Sequence, residues 1–254
     1  MNPIRQQLSD GAPSIGTWFN LQCPFAAEQF GAAGFDWVIL DLQHRFVHWS
    51  NLMPLMQALQ LGGTHSLVRV PRHDPADIMG VLDMGAVGVV VPLVSTPEQA
   101  KIVGDAVRYP PHGNRSWGPN RPVLGQDTLR HDPFCVVMIE TVEGMRNIDA
   151  IAATPGIDCL MLGSMDLAVD MGVPLTEIYS GKTPAAAMAA MDKLIEACLR
   201  HGKVASCGVP SDEEAEDLLA RGARFVPVGA AHLMLMANAR RQAGAAAEWR
   251  KRFS

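Results

Sequence analysis

Residues 135–166 read CVVMIETVEGMRNIDAIAATPGIDCLMLGSMD. An apolar, β-branched run (Cys135–Glu140), a helix-compatible stretch (Val142–Ala153) and a second apolar run (Cys159–Leu162) follow in order, which is the signature of a βα unit leading into the next strand. Both runs are continuously apolar rather than alternating. Strands buried on both faces, as in parallel sheets, have that pattern.

The same rhythm extends outward along the chain. Further strands are expected at Ser14–Asn20, Trp37–Asp41, Ser66–Val70, Val87–Val91, Val204–Ser206 and Phe225–Val228, giving eight. Helices are expected at Pro24–Ala33, Trp49–Leu61, Pro75–Asp83, Pro97–Arg108, Ala185–His201, Asp212–Arg221 and Ala231–Arg250. Pro75 and Pro97 suit first-turn positions, and Ser211 with Glu214 has capping-box spacing. Eight βα units in 254 residues fit one closed (β/α)8 barrel spanning residues 1–254. A doubly wound open sheet is the rival, but no GxGxxG follows the first strand.

Composition narrows the class. With 48% hydrophobic and 19% charged residues the chain reads as a soluble globular protein, and its net charge of -5 argues against a nucleic-acid surface. The five cysteines are scattered without a CxxC pair, so a reducing compartment is expected and neither a disulfide framework nor a zinc cluster. MNPIRQQLSDG lacks an apolar signal core and no run is long enough to span a membrane, so the expected location is cytoplasmic.

Barrel active sites form at the C-terminal ends of the strands. Polar residues there are Asp41, Gln43 and His44 after the second strand, Arg69 on the third, Glu140 ending the fifth and Asp166 after the sixth. Glu140 and Asp166 come from neighbouring strands, and two carboxylates are enough to hold a hard divalent cation that keeps positions for water and substrate. They also read as an acid–base pair, or as structural groups, with Glu140 paired to Arg69 and Asp166 capping a short helix. His44 reads as a general base whose tautomer Asp41 or Asp83 would fix, or as an ordinary hydrogen-bonding loop residue.

Other chemistry is disfavoured. Lys101 and Lys193 fall on helices, Lys182 in a loop, Lys203 before the seventh strand and Lys251 in the tail, so no lysine ends a strand for imine formation. No GxSxG occurs, and Cys207 alone lies near the mouth as a possible nucleophile. Two irregular segments, 109–134 and 171–184, break the rhythm. The first, within RYPPHGNRSWGPNRP, suits a fixed loop with anion-binding arginines or a plain solvent loop.

The ordered set GTWF, GFDWVILDLQH, LVRVP, VVVPLV, RYPPHGNR, VVMIETVEGMRN and GSMDLAVDMG, from about Gly16 to Leu235, resembles the HpcH/HpaI family of class II, metal-dependent pyruvate aldolases, similar to 4-hydroxy-2-oxoheptanedioate and 2-keto-3-deoxy-sugar-acid aldolases. The resemblance implies a (β/α)8 barrel in a homo-hexamer, a trimer of dimers that exchange the last helix. It implies Glu140 and Asp166 as ligands of Mg²⁺ or Mn²⁺, with Co²⁺ also conceivable. It implies His44 as base, Asp83 as its support and Arg69 as the residue stabilising an enolate. The implied reaction cleaves 4-hydroxy-2-oxo acids into pyruvate, or a related 2-oxo acid, and an aldehyde.

Trp18, Arg69, Met138, Ser164, Met165, Asp166, Val209 and Pro210 would line the substrate pocket. Three positions depart from the family's common pattern: Met138 replaces a Gln two residues before the metal glutamate, Gln43 replaces a Glu before the histidine, and GSMDL replaces GPxDL. These departures point to altered substrate preference. Alternatives are an acyl-CoA lyase of the citrate lyase β or malyl-CoA type, with Arg115 and Arg121 facing the phosphates, and a non-catalytic barrel.

Overall fold

The structure, a computed structural model, describes residues 2–44, 47–118, 121 and 132–254. Its eight strands are β1 (Ser14–Phe19), β2 (Trp37–Asp41), β3 (His65–Arg69), β4 (Gly88–Val91), β5 (Phe134–Ile139), β6 (Cys159–Leu162), β7 (Val204–Cys207) and β8 (Phe225–Ala230). Each pairs in parallel with its sequence neighbours, and β8 returns to β1 to close the barrel.

Among the described residues the helices are α1 (Pro3–Ser9), α2 (Pro24–Gly31), α3 (Trp49–Leu61), α4 (Pro75–Asp83), α5 (Pro97–Ala106), α6 (Val142–Arg146), α7 (Ile148–Ala152), α8 (Ser164–Asp170), α9 (Leu175–Ile178), α10 (Ala185–His201), α11 (Asp212–Arg221) and α12 (Ala231–Arg252). The expected helix 142–153 is broken in two at Asn147. The segment 171–184 is not wholly irregular but holds the single turn of α9. Much of 109–134 lies outside the described residues.

The period of two along each strand sorts side chains between two apolar layers. Val38, Leu40, Val89, Val91, Cys135 and Val137 face outward into the layer under the helices. Trp37, Ile39, Leu67, Val90, Phe134, Val136, Met138, Cys159, Met161 and Phe225 fill the barrel interior. Trp37 and Phe225 stack at 3.9 Å, and the Trp37 indole N–H donates to Ser14 Oγ at 2.8 Å. Gly16 is required opposite this ring, since a Cβ there would lie 2.2 Å from it.

Helix α1, not foreseen from sequence, closes the N-terminal end of the barrel. Asn2 caps it, Pro3 occupies its first turn, and Ile4 joins the interior cluster. The same inward parity that places Trp37 and Ile39 puts Asp41 inside at the other end; Leu67 leads likewise to Arg69, and Met138 to Glu140.

Candidate active site

Arg69 and Asp41 sit directly opposite each other at the ends of β3 and β2. Arg69 donates from Nε to Asp41 Oδ1 at 2.9 Å and from Nη2 to Oδ2 at 2.7 Å, both residues being buried. The guanidinium also lies over the Trp18 ring at 4.5 Å, and Nη1 points to Met138 Sδ at 4.0 Å. A thioether is a weak acceptor, so Nη1 is the guanidinium nitrogen with capacity to spare. Arg69 thus pairs with Asp41 and not with Glu140.

Glu140, 1% exposed, accepts a hydrogen bond on Oε2 from Leu93 N–H at 2.7 Å. Leu93 reaches it from a left-handed backbone position, φ 55°, just past β4. Nothing in the sequence signals that bond. Gly163 makes room for the glutamate, because a Cβ there would stand 2.3 Å from Glu140 Cγ. Asp166, in the first turn of α8, brings its carboxyl within hydrogen-bond reach of Glu140.

Burial, reinforced by the negative charge of Asp166, pushes Glu140 up to about 7 against the opposing pull of Leu93 N–H and Arg69. Two carboxyl groups so close, one of them buried, form a donor set that a hard divalent cation would relieve. Among the described residues no group of three or more His, Cys, Asp or Glu side chains stands together, so a cation held here would have these two carboxylates and take its other ligands from water and substrate. Asp166 makes no capping bond in α8.

These groups open into a cavity of about 260 Å³ at the C-terminal mouth. Trp18, Arg69, Met138, Glu140, Ser164, Met165, Asp166, Val209 and Pro210 all line it, as do Leu233 and Gly229, which sequence reading missed. Leu233 belongs to the first turn of α12, a helix whose apolar pattern alone says nothing of a pocket.

Residues 14–239 match the model of the HpcH/HpaI aldolase/citrate lyase family. The chain belongs to this family. A hydroxypyruvate/pyruvate aldolase of Rhizorhabdus wittichii is 36% identical across 94% of this chain and 96% of its own. A 5-keto-4-deoxy-D-glucarate aldolase of Shigella boydii is 33% identical across 90% of each chain. Among solved structures, an HpcH/HpaI aldolase/citrate lyase family protein from Burkholderia cenocepacia J2315 superposes with a TM-score of 0.85 at 26% identity, covering 98% of this chain and 100% of that one. This HpcH/HpaI member is an aldolase, a carbon–carbon lyase.

Within the single chain, some expected pairings are not seen. His44 is exposed on the loop after β2 and does not line the cavity; the Asp41 carboxylate accepts from the loop backbone at Gln43 N–H and, at 3.5 Å, at His44 N–H, and is otherwise taken by Arg69. Asp83 is the last residue of α4, and barrel helices run opposite to the strands, so it lies at the N-terminal end, away from His44. There it pairs with Arg115 at 2.9 Å. Arg115 is buried, and Arg121 donates to Met84 O and Gln60 Oε1. Both arginines are therefore engaged at the barrel's base within this chain. Cys207 is buried with its thiol pushed up to about 12, principally by burial, and is no nucleophile. Among the described residues Gln43 Oε1 is buried without a hydrogen-bond partner.

Among the described residues no helix is long and apolar enough to cross a membrane. Helix α12 runs 22 residues with Ala231 alone buried, and it exposes Leu235, Met236 and Trp249.

Proposed function

We propose that this aldolase cleaves 4-hydroxy-2-oxo acids to pyruvate or a close 2-oxo acid plus an aldehyde, and forms them in reverse. The observation that carries the reading is the convergence of Glu140, Asp166 and Arg69 on one cavity. The relatives named for hydroxypyruvate/pyruvate and 5-keto-4-deoxy-D-glucarate support a 2-oxo acid substrate.

Glu140 and Asp166 would hold Mg²⁺ or Mn²⁺, which when bound supplies Lewis-acid stabilisation of charge on the 2-oxo acid. Arg69, its plane fixed by Asp41 and Trp18, offers Nη1 to the oxygen that becomes negative as the enolate forms. A fixed donor aimed at developing charge is worth about 3–4 kcal/mol. His44, on the rim, takes the proton of the 4-hydroxyl as the C3–C4 bond breaks, and its exposure leaves it free to pass that proton to water. Ser164, Met165 and Val209 shape the wall.

The bare α12 supports an exchanged-helix hexamer, and five cysteines without a disulfide support a cytoplasmic setting. The test is NMR-monitored exchange of pyruvate methyl protons for deuterium with Mg²⁺ or Mn²⁺, and again with excess EDTA. Exchange abolished by EDTA is expected. No exchange with either metal would sink the proposal.

A further inference from the structure

We infer that Asp170 is a positioning residue for the cation site: through one hydrogen bond to the chain just beyond Glu140 it fixes the rotation of α8, and with it the place of the Asp166 carboxylate. The inference rests on the reading above in which Glu140 and Asp166 hold a divalent cation. The bond runs from Val142 N–H to Asp170 Oδ2 at 2.7 Å.

Asp170 is the last residue of α8, a helix of 7 residues with no side-chain cap at its Gly163 start. A carboxylate in a last turn opposes the dipole of its own helix, so a favourable partner has to come from outside. That partner is Val142 N–H, the first amide of α6, which has no acceptor within its own helix. Thr141 Oγ1 caps the later amide of Gly144, and Asp170 takes the first.

The spacing matches on the two sides. Asp166 and Asp170 stand one turn apart on the same face of α8, about 6 Å along its axis. Glu140 and Val142 flank Thr141, whose φ of -134° and ψ of 156° keep the chain extended and separate them by about 6.6 Å. The face of α8 that turns Asp166 to Glu140 therefore turns Asp170 to Val142. At the helix start, Gly163 donates to Ile139 O at 3.0 Å and lies against the Glu140 side chain. Leu167 and Ala168 bury the inner side of α8, but apolar packing is non-directional. Gly163 tethers one end, and the Asp170 bond sets the rotation on which the aim of Asp166 depends. Groups that orient a metal ligand in this way typically carry about 10–100-fold of metal affinity.

The experiment uses the full chain and reads free Mn²⁺ by electron paramagnetic resonance, giving a Kd that needs no turnover. The bond is broken from both sides. Asp170→Ala removes the acceptor. Val142→Pro removes the donor and leaves the Asp170 charge in place; proline suits the first helical position, and Thr141 before it is already extended. Expected are a rise in Kd of about tenfold in each variant and no further rise in the double variant. Asp170→Asn, whose amide oxygen still accepts, should stay within about threefold of the parent. Melting in EDTA should barely move in any of them. Unchanged Kd in both Asp170→Ala and Val142→Pro would overturn the assignment, as would additive losses or an Asp170→Asn variant as weak as Asp170→Ala, since these point to charge rather than to the bond. A large fall in melting in both single variants would assign the bond to the fold instead. Should Asp170→Ala fail to fold, Val142→Pro against the parent decides alone. A parent that binds no Mn²⁺ would instead overturn the two-carboxylate reading beneath the inference.

Discussion

Asp41 holds Arg69 through two parallel hydrogen bonds, of 2.9 and 2.7 Å, across neighbouring strands in exact register. Because both are buried, removing one leaves the other charged and unpaired, which costs on the order of 3–5 kcal/mol. Asp41→Ala should lower the free energy of unfolding by about 3 kcal/mol or more, measured by urea denaturation at constant pH. Arg69→Ala should reduce kcat for aldol cleavage by about 10²–10³ with a much smaller change in KM. If KM rose and kcat stayed put, Arg69 would be a ground-state binder only.

Glu140→Gln separates the metal role from a structural one. With one carboxylate gone from a facing pair, the variant should be at least as stable as the parent in EDTA. The parent should gain thermal stability on adding Mn²⁺ by binding linkage, and the variant should not. Differential scanning fluorimetry with and without Mn²⁺ reads both, and equal Mn²⁺-induced shifts would argue that Glu140 holds no cation.

Gly163→Ala tests the cradle rather than the ligand. An added Cβ would press on Glu140 Cγ at 2.3 Å and push the carboxylate away from Asp166. Affinity for Mn²⁺, followed by electron paramagnetic resonance, should fall more than tenfold while far-UV circular dichroism stays that of the folded barrel. Unchanged Mn²⁺ affinity would show that the glutamate position is not what binds.

His44→Ala should leave stability nearly untouched, because the side chain is exposed. Its cleavage rate should drop by about 10²–10⁴, the range for losing a general base. A rate within a factor of three of the parent would assign proton removal to another group.

The barrel was legible because burial on both faces writes strands as continuous apolar runs, and Trp37–Asp41, Cys159–Leu162, Trp49–Leu61 and Ala185–His201 all occur with the bounds their patterns suggest. The polar residues ending those runs, Asp41, Arg69 and Glu140, were legible for the same reason: strand parity continues past the last apolar residue and turns them into the mouth. The small departures at element ends reflect hydrogen bonding that hydropathy does not encode.

What the sequence by itself determined was therefore the repeating βα unit, its closure into one barrel and the short set of groups at its mouth, all consequences of local periodicity. Partner choice was decided only in three dimensions. Asp41 meets Arg69 because β2 and β3 align them, and Asp83 meets Arg115 because a helix C-terminus lies at the far end of the barrel from a strand C-terminus. Leu93 donates to Glu140 from a backbone conformation that no residue pattern announces, and Leu233 enters the pocket because the turn at Gly229 starts α12 there. Side-chain pairing depends on distances set by elements remote in sequence, and only the closed barrel fixes them.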